Sequence, residues 1–254
     1  TLCSHCATFT TKTCTGCTTA PQYHKEATDI YYCSTHCHNA DWTNHQILCE
    51  TRQQRVRLHQ DIFLLHQTWT MLREEAWDED ISHVELKRNT LYLYEGEQHR
   101  PRRNMTMRRY PDNTEGSPKH KFAVLMAMGC SDSADVLSSL TSALFSGHAR
   151  FPLRSSPNED TDDMLELNAK VEEVILSVKN TPLSIRLVDS DGSVDNDEYF
   201  HEVLRISLPS GELWCADITG AQFGLPKILW PWHEYKTKYV DEIYIIAPLG
   251  TSRH

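Results

Sequence analysis

The chain has 254 residues, of which 39% are hydrophobic and 24% charged, with a formal net charge of -10. That is enough apolar material for one sizeable core plus a small satellite module, and the acidic balance argues against an extended nucleic-acid surface. No apolar run reaches the ~18–20 residues a membrane-spanning helix needs, and with only 10 glycines and no glycine-rich phosphate loop, nucleotide binding has no support.

The chain opens on Cys3 with neither a basic nor an apolar leader, so we expect an intracellular protein, cytoplasmic or nuclear. Seven of the nine cysteines fall before residue 50. Their order is Cys3-x2-Cys6, Cys14-x2-Cys17, Cys33-x3-Cys37 and His45-x3-Cys49. Paired short spacings of this kind favour a metal site in a reducing compartment over a disulfide framework. A two-residue gap lets both thiolates of a tight turn face one ion. A three-residue gap puts two ligands one helical turn apart, so a helix is expected over 34–48 with Cys37, Asp41 and His45 on one side. Zinc takes four ligands in a closed structural site, and eight ligands therefore fit two zinc ions. His36 and His38 are alternatives to His45 as the imidazole ligand, and the spacing from Trp42 to Cys49 favours His45. Trp42 reads as a packing residue of the small core.

Residues 3–49 resemble the MYND zinc finger, through the two Cys-x2-Cys pairs, the Tyr32-Cys33-x3-Cys37 segment and the Asp41-Trp42-x2-His45-x3-Cys49 tail. The resemblance implies a cross-braced pairing, with Cys3, Cys6, Cys33 and Cys37 on one ion and Cys14, Cys17, His45 and Cys49 on the other. It also implies a groove for short proline-containing peptides. The segment between Cys17 and Cys33 is longer than is usual in the family, and His38 stands where a glutamine is usual.

The pattern after the finger predicts one amphipathic helix over 50–78, with Val56, Ile62, Leu65, Trp69 and Leu72 on a stripe. Short strands follow over 82–95. A polar loop over 96–118 contains the five arginines of 99–109, read as a solvated loop or a docking patch for an acidic partner. Beyond 119 the reading is an apolar run 122–128, a helix 132–145, a charged loop 154–163 and a second helix 165–179. Strands are then expected at 183–188, 203–208, 213–218 and 240–246. We expect an α+β fold with a mainly antiparallel sheet, organised as a finger (1–50), a helical connector and loop (51–118) and an α+β domain (119–254).

Three residues of the last segment form a possible constellation. Cys130 opens a helix, where free amides and the dipole favour thiolate. His201 begins a strand, and a hairpin around Pro209-Ser210-Gly211 brings it beside Asp217 near the end of the next strand. A thiol facing an imidazole held by a carboxylate is the layout of acyl transfer by a cysteine nucleophile. Each residue also has a plainer reading: Cys130 as a small core residue, His201 as a structural histidine, Asp217 as a turn cap. Cys215 reads as buried and inert.

Residues 119–246 resemble the transglutaminase-like branch of the papain-type fold. That branch carries Gly-x-Cys-x-Asp-x-Ala at a helix start, a histidine at a strand start, and Trp-x-x-Asp-x-Thr on the next strand. Here the segments are Met128-Gly129-Cys130-Ser131-Asp132-Ser133-Ala134, His201, and Trp214-Cys215-Ala216-Asp217-Ile218-Thr219. The glycine falls one residue before the cysteine rather than two. The resemblance implies Cys130 as nucleophile, His201 as base then acid, and Asp217 as the group orienting the ring.

Later in the chain, Gln222 and Phe223 are candidates for a cleft wall, and Trp230-Pro231-Trp232 is expected to pack against the sheet. The acidic run 189–198 reads as a solvated loop rather than a calcium loop. Two functions are therefore carried forward. One is a zinc-binding interaction protein whose finger recruits a peptide partner. The other is a cysteine-dependent acyl-transfer enzyme using Cys130, His201 and Asp217.

Overall fold

The computed structural model describes residues 1–24, 29–77, 80–96, 109–110, 118–146, 167–195 and 199–251, without the side chains of 118 and 119. Most of the arginine run and all of the 154–163 segment lie outside them. Among the described residues no helix is long and apolar enough to cross a membrane.

The finger ends in two helices, α1 (Thr35–Ala40) and α2 (Trp42–Glu75). Ser34 caps α1 by accepting a hydrogen bond from the Cys37 amide. Asp41, with φ -96° and ψ 0°, breaks the helix expected over 34–48 into these two. From Trp42 the chain runs helical for 34 residues without glycine or proline, roughly 50 Å at 1.5 Å per residue. The helix expected over 50–78 thus begins inside the finger. His45, Cys49, Arg52, Arg55, Leu58, Ile62, Leu65, Trp69 and Arg73 are buried along it at intervals of three and four. Of the expected stripe, Ile62, Leu65 and Trp69 are buried, Leu72 is exposed, and Leu58 takes a place the sequence reading left out.

A hairpin follows, β1 (Ile81–Lys87) and β2 (Thr90–Glu95), then helices α3 (Pro118–Met126) and α4 (Cys130–Phe145). The remaining elements are β3 (Lys170–Val178), β4 (Ser184–Val188), β5 (His201–Ser207), β6 (Leu213–Ala216), a 3₁₀ turn (Gly220–Phe223), β7 (Leu229–Pro231), α5 (Trp232–Tyr239) and β8 (Val240–Pro248). One sheet has the order β7-β6-β5-β3-β8 and is antiparallel throughout. The other has the order β1-β2-β4, and β4 joins β2 in parallel, Thr90 opposite Ser184. The fold is α+β.

The helix expected over 165–179 is a correction. Residues 167–169 are irregular and 170–178 form β3, between β5 and β8. The Glu, Lys and Leu content suits a helix, but Val171, Val174, Ile175 and Val178 are β-branched and pack well on a pleated surface. The glutamates that suggested a solvated helical face are absorbed by long-range partners. Glu172 Oε2 accepts from Arg205 Nη2 at 2.7 Å, and Glu173 accepts from the amides of Gly250 and Thr251.

Alternation along β5 and β6 builds two cores. Leu204, Ile206, Trp214 and Ala216 face α2, α3 and α4, packing with Leu58, Ile62, Leu65, Val124, Leu137 and Leu144. Val203 and Cys215 face the other way, onto Trp230, Trp232, Tyr235 and Tyr239 around α5. Trp230 and Trp232 pack against the sheet as the sequence suggests, and Cys215 is fully buried.

The finger is fastened to this sheet. Arg55 Nε lies 3.0 and 2.9 Å from the two carboxylate oxygens of Glu212, with both side chains buried. Trp214 Nε1 donates to the same carboxylate at 3.1 Å. Tyr23, from the long segment between Cys17 and Cys33, accepts from the Leu213 amide at 3.1 Å and lies under the Arg55 guanidinium, 5.4 Å from its ring centre.

Candidate metal centre and candidate active site

Two clusters of donor atoms occupy the first fifty residues. Cys3, Cys6, Cys33 and Cys37 form one, and Cys14, Cys17, His45 and Cys49 the other. Within each, the donor atoms all lie within 4.8 Å of one another. The Sγ atoms of Cys6, Cys33 and Cys37 are separated by 3.5, 3.4 and 3.7 Å. In the second cluster Cys14 Sγ lies 3.8 Å from Cys49 Sγ, and His45 Nε2 lies 3.2 Å from Cys14 Sγ and 3.6 Å from Cys17 Sγ. A zinc ion with sulfurs at about 2.3 Å in a tetrahedron gives edges of about 3.8 Å, so both donor sets have the size and chemistry of a closed structural zinc site. All nine cysteines are free thiols.

The titration of the thiols carries the same message. Hydrogen bonding to Cys49 and Cys14 and the charges of His45 and Arg52 outweigh burial and lower Cys17 to about 5. Hydrogen bonding to Cys17, then burial, pushes Cys49 far above the thiol range. In the other cluster hydrogen bonds to Cys37 and Cys6 push Cys33 up to about 12. Packed this closely, the thiols cannot all ionise together, and a divalent cation removes the conflict by neutralising them.

Local packing sets the ligand positions. Gly16 sits where a Cβ would come within 2.8 Å of Cys49 Sγ, so the turn between Cys14 and Cys17 needs a residue without a side chain. Tyr32 Oη donates to Asp41 Oδ2 at 2.7 Å, and Asn44 Nδ2 donates to Oδ1 at 3.0 Å. These two bonds hold the Asp41 carboxyl below its ordinary value. His38 Nε2 is 3.8 Å from Cys14 Sγ but lies outside the four-donor cluster. Trp42 departs from expectation: 37% exposed, it sets its ring edge against His38 at 5.3 Å rather than entering a core.

Two interleaved four-ligand sites of this kind define a zinc-binding finger with two ions. The family model for the MYND finger matches residues 3–49. No curated protein and no solved structure matches the chain.

The second site lies in the α+β part. His201 and Asp217 are both fully buried, and Nε2 of the ring is 2.9 Å from Oδ1 of the carboxylate. Tyr235 Oη donates to the other carboxylate oxygen at 2.8 Å, and the Asp217 amide donates to Ile228 O. A Cβ at Gly220 would meet Asp217 Oδ2 at 2.6 Å, so this glycine makes room for the carboxylate. The ring of Phe223 stands edge-on to His201, with centroids 4.8 Å apart. With Nε2 taken by Asp217, the Nδ1 edge is the one left for Cys130, and Nδ1 is buried without a hydrogen-bond partner of good geometry among the described residues.

Cys130 opens α4 and lines a cavity of about 180 Å³. Cys130 Sγ donates to Phe200 O at 3.7 Å; burial pushes the thiol up, but the neighbouring His201 outweighs this and brings it below 9.0. Burial pushes His201 down, but the charge and hydrogen bond of Asp217, with Cys130, raise it to about 10. Both shifts favour a thiolate–imidazolium pair. Cys215 goes the opposite way, its thiol pushed well above the ordinary value by burial and by Asp217.

Residues before the thiol carry strain. Met128, two before Cys130, has φ +58° and lines the cavity. That left-handed conformation is costly for a residue with a side chain. The Gly-x-Cys pattern has its glycine at this position. Here the glycine is instead at 129, where a Cβ would meet Trp69 Cζ2 at 2.9 Å. Three supports of the site leave no mark in the sequence. Tyr235 and Gly220 act on Asp217, and His66 Nδ1 lies 3.0 Å from the carbonyl of Ile218. None has a local signal, since each becomes visible only from its contact.

Proposed function

We propose that the chain is a zinc-dependent interaction protein whose N-terminal finger recruits a short peptide partner. The observation that carries this is the pair of donor clusters with zinc-sized edges, within a segment that matches the MYND finger. A concave surface beside the second cluster, with Lys12, Thr13, Thr15, Tyr32, Thr35 and His38 in its wall, supports a peptide site. The proline-containing class of peptide comes from the family resemblance. Free thiols at both clusters suit a reducing compartment, cytoplasmic or nuclear. The test is a titration of a proline-rich peptide library against the full chain, with and without a zinc chelator. Zinc-dependent binding lost in His38→Ala supports the reading. Binding indifferent to the metal overturns it.

A second reading is favoured by the fully buried His201–Asp217 pair together with Cys130 in the wall of a cavity. In it, Cys130 thiolate attacks an acyl carbon, the His201 imidazolium gives its proton to the leaving group, and His201 then takes a proton from water to release the acyl group. Asp217 fixes the ring and Tyr235 fixes Asp217. Residue-resolved alkylation by iodoacetamide tests it. Cys130 should react much faster than a free thiol at pH 7, and an equal rate removes the reading.

A further inference from the structure

The cavity over Cys130 has a composition that the acyl-transfer reading leaves unused. Among the described residues its wall carries no charged side chain: Met128, Ile185, Leu187, Phe200 and Phe223 supply most of it. Gln222 is the one carboxamide in the wall. It is 7% exposed, and its Nε2 has no hydrogen-bond partner among the described residues. A buried amide N–H without an acceptor is costly, and rotation of the carboxamide about its own side-chain bonds would let an acceptor in the cavity recover that cost. The 3₁₀ turn that carries Gln222 and Phe223 begins three residues after Asp217 and is held by hydrogen bonds that the Gln222 amide donates to Thr219 O and the Leu225 amide to Gly220 O. The carboxamide is therefore positioned by the same short segment that positions the carboxylate.

Building on the acyl-transfer reading, we infer that this cavity takes an uncharged acyl donor with an aliphatic or aromatic acyl group, and that Gln222 Nε2 donates to its carbonyl oxygen. Cys130 thiolate forms a bond to the carbonyl carbon, and the C=O electron pair moves to the oxygen, which gains negative charge against Gln222. Collapse expels the leaving group, protonated by His201 when it is an amine, and leaves a thioester on Cys130. Water, giving a proton to His201 as its hydroxyl bonds to the thioester carbon, releases the carboxylic acid and the Cys130 thiolate, which restores the thiolate–imidazolium pair. A donor aimed at the developing oxyanion is worth far more in the transition state than in the ground state.

The test uses the full chain and two reagents. Iodoacetamide alkylates a thiolate by displacement, with no oxyanion. The p-nitrophenyl esters of acetate, butyrate, hexanoate and succinate acylate it through one. Wild type should alkylate quickly and prefer hexanoate and butyrate over acetate, with roughly fourfold in rate per buried methylene, and should disfavour succinate. Gln222→Glu and Gln222→Leu should lose on the order of 10²-fold in acylation while chemical alkylation of Cys130 stays rapid, which also shows that the variants fold. Wild type that alkylates no faster than a free thiol ends the acyl-transfer reading and this inference with it. Rapid alkylation combined with undiminished acylation in both Gln222 variants, or with equal rates for succinate and hexanoate, overturns this inference and leaves the triad standing.

Discussion

His201 sits between two groups that both favour its charged form, and the consequence is a definite pH profile. Cys130 is lowered from its ordinary value and His201 raised to about 10, so the ion pair exists from the lowered thiol midpoint up to about pH 10. Alkylation of Cys130 should rise once with pH, at a midpoint below that of a free thiol, and stay high. Cleavage of an amide should also fall again through about pH 10, because the leaving amine then lacks its proton donor. Asp217→Asn removes the charge that holds the imidazole up, so the alkylation midpoint should move upward. Rates measured from pH 5 to 11 decide this, and an unmoved midpoint would contradict the coupling. Gly129 offers a separate residue-scale prediction. Gly129→Ala drives a methyl into Trp69 and should cost about 1–3 kcal/mol in urea denaturation.

At the scale of elements, α2 is the part that joins the two sites. Its first turns carry His45 and Cys49, its middle carries Arg55, and its last third presses Trp69 on Gly129 and His66 on Ile218 O. The buried Arg55–Glu212 pair is the riskiest contact along it. Two desolvated charges gain little over an apolar pair, but removing one partner strands the other. Arg55→Ala should destabilise by about 3–5 kcal/mol. The double variant Arg55→Leu with Glu212→Gln keeps an acceptor for Trp214 Nε1 and should recover much of the loss. Denaturant melts of the three proteins measure it, and equal losses in single and double variants would show that packing, not charge, dominates.

At the scale of the whole molecule, metal removal separates what zinc holds from what the core holds. A fifty-residue finger buries too little to fold alone, whereas a structural zinc contributes roughly 10–16 kcal/mol in peptide hosts. Fresh protein should contain two zinc ions per chain by atomic absorption. Cys33→Ser and Cys14→Ser should each lose one, because the two thiols belong to different clusters. Chelation should abolish amide protection over the finger and the first turns of α2. Protection in β3 and β5 should persist, since their core of Val174, Leu204 and Ile206 contains no ligand. Hydrogen exchange with and without chelator reads both, and a uniform loss across the sheet would contradict the division.

The two zinc ions were readable from the sequence alone because the ligands come in pairs only two or three residues apart, where turn and helix geometry dictate a shared direction. The order Cys130, His201, Asp217 was readable as a candidate for a similar reason: a hairpin brings together the last two, which are 16 positions apart. Helix α4 and the strands β5, β6 and β8 followed from apolar periodicity. Everything that depends on distant partners was left to the tertiary structure. β3 reads as a helix until β5 and β8 flank it, and β4 belongs to the hairpin sheet only because β2 offers a free edge. Glu212 meets Arg55 across 157 positions, and Tyr235 finds Asp217 by way of α5. A local pattern fixes where a side chain points, but whether a buried charge is neutralised or a thiol ionised depends on which groups the rest of the chain brings against it.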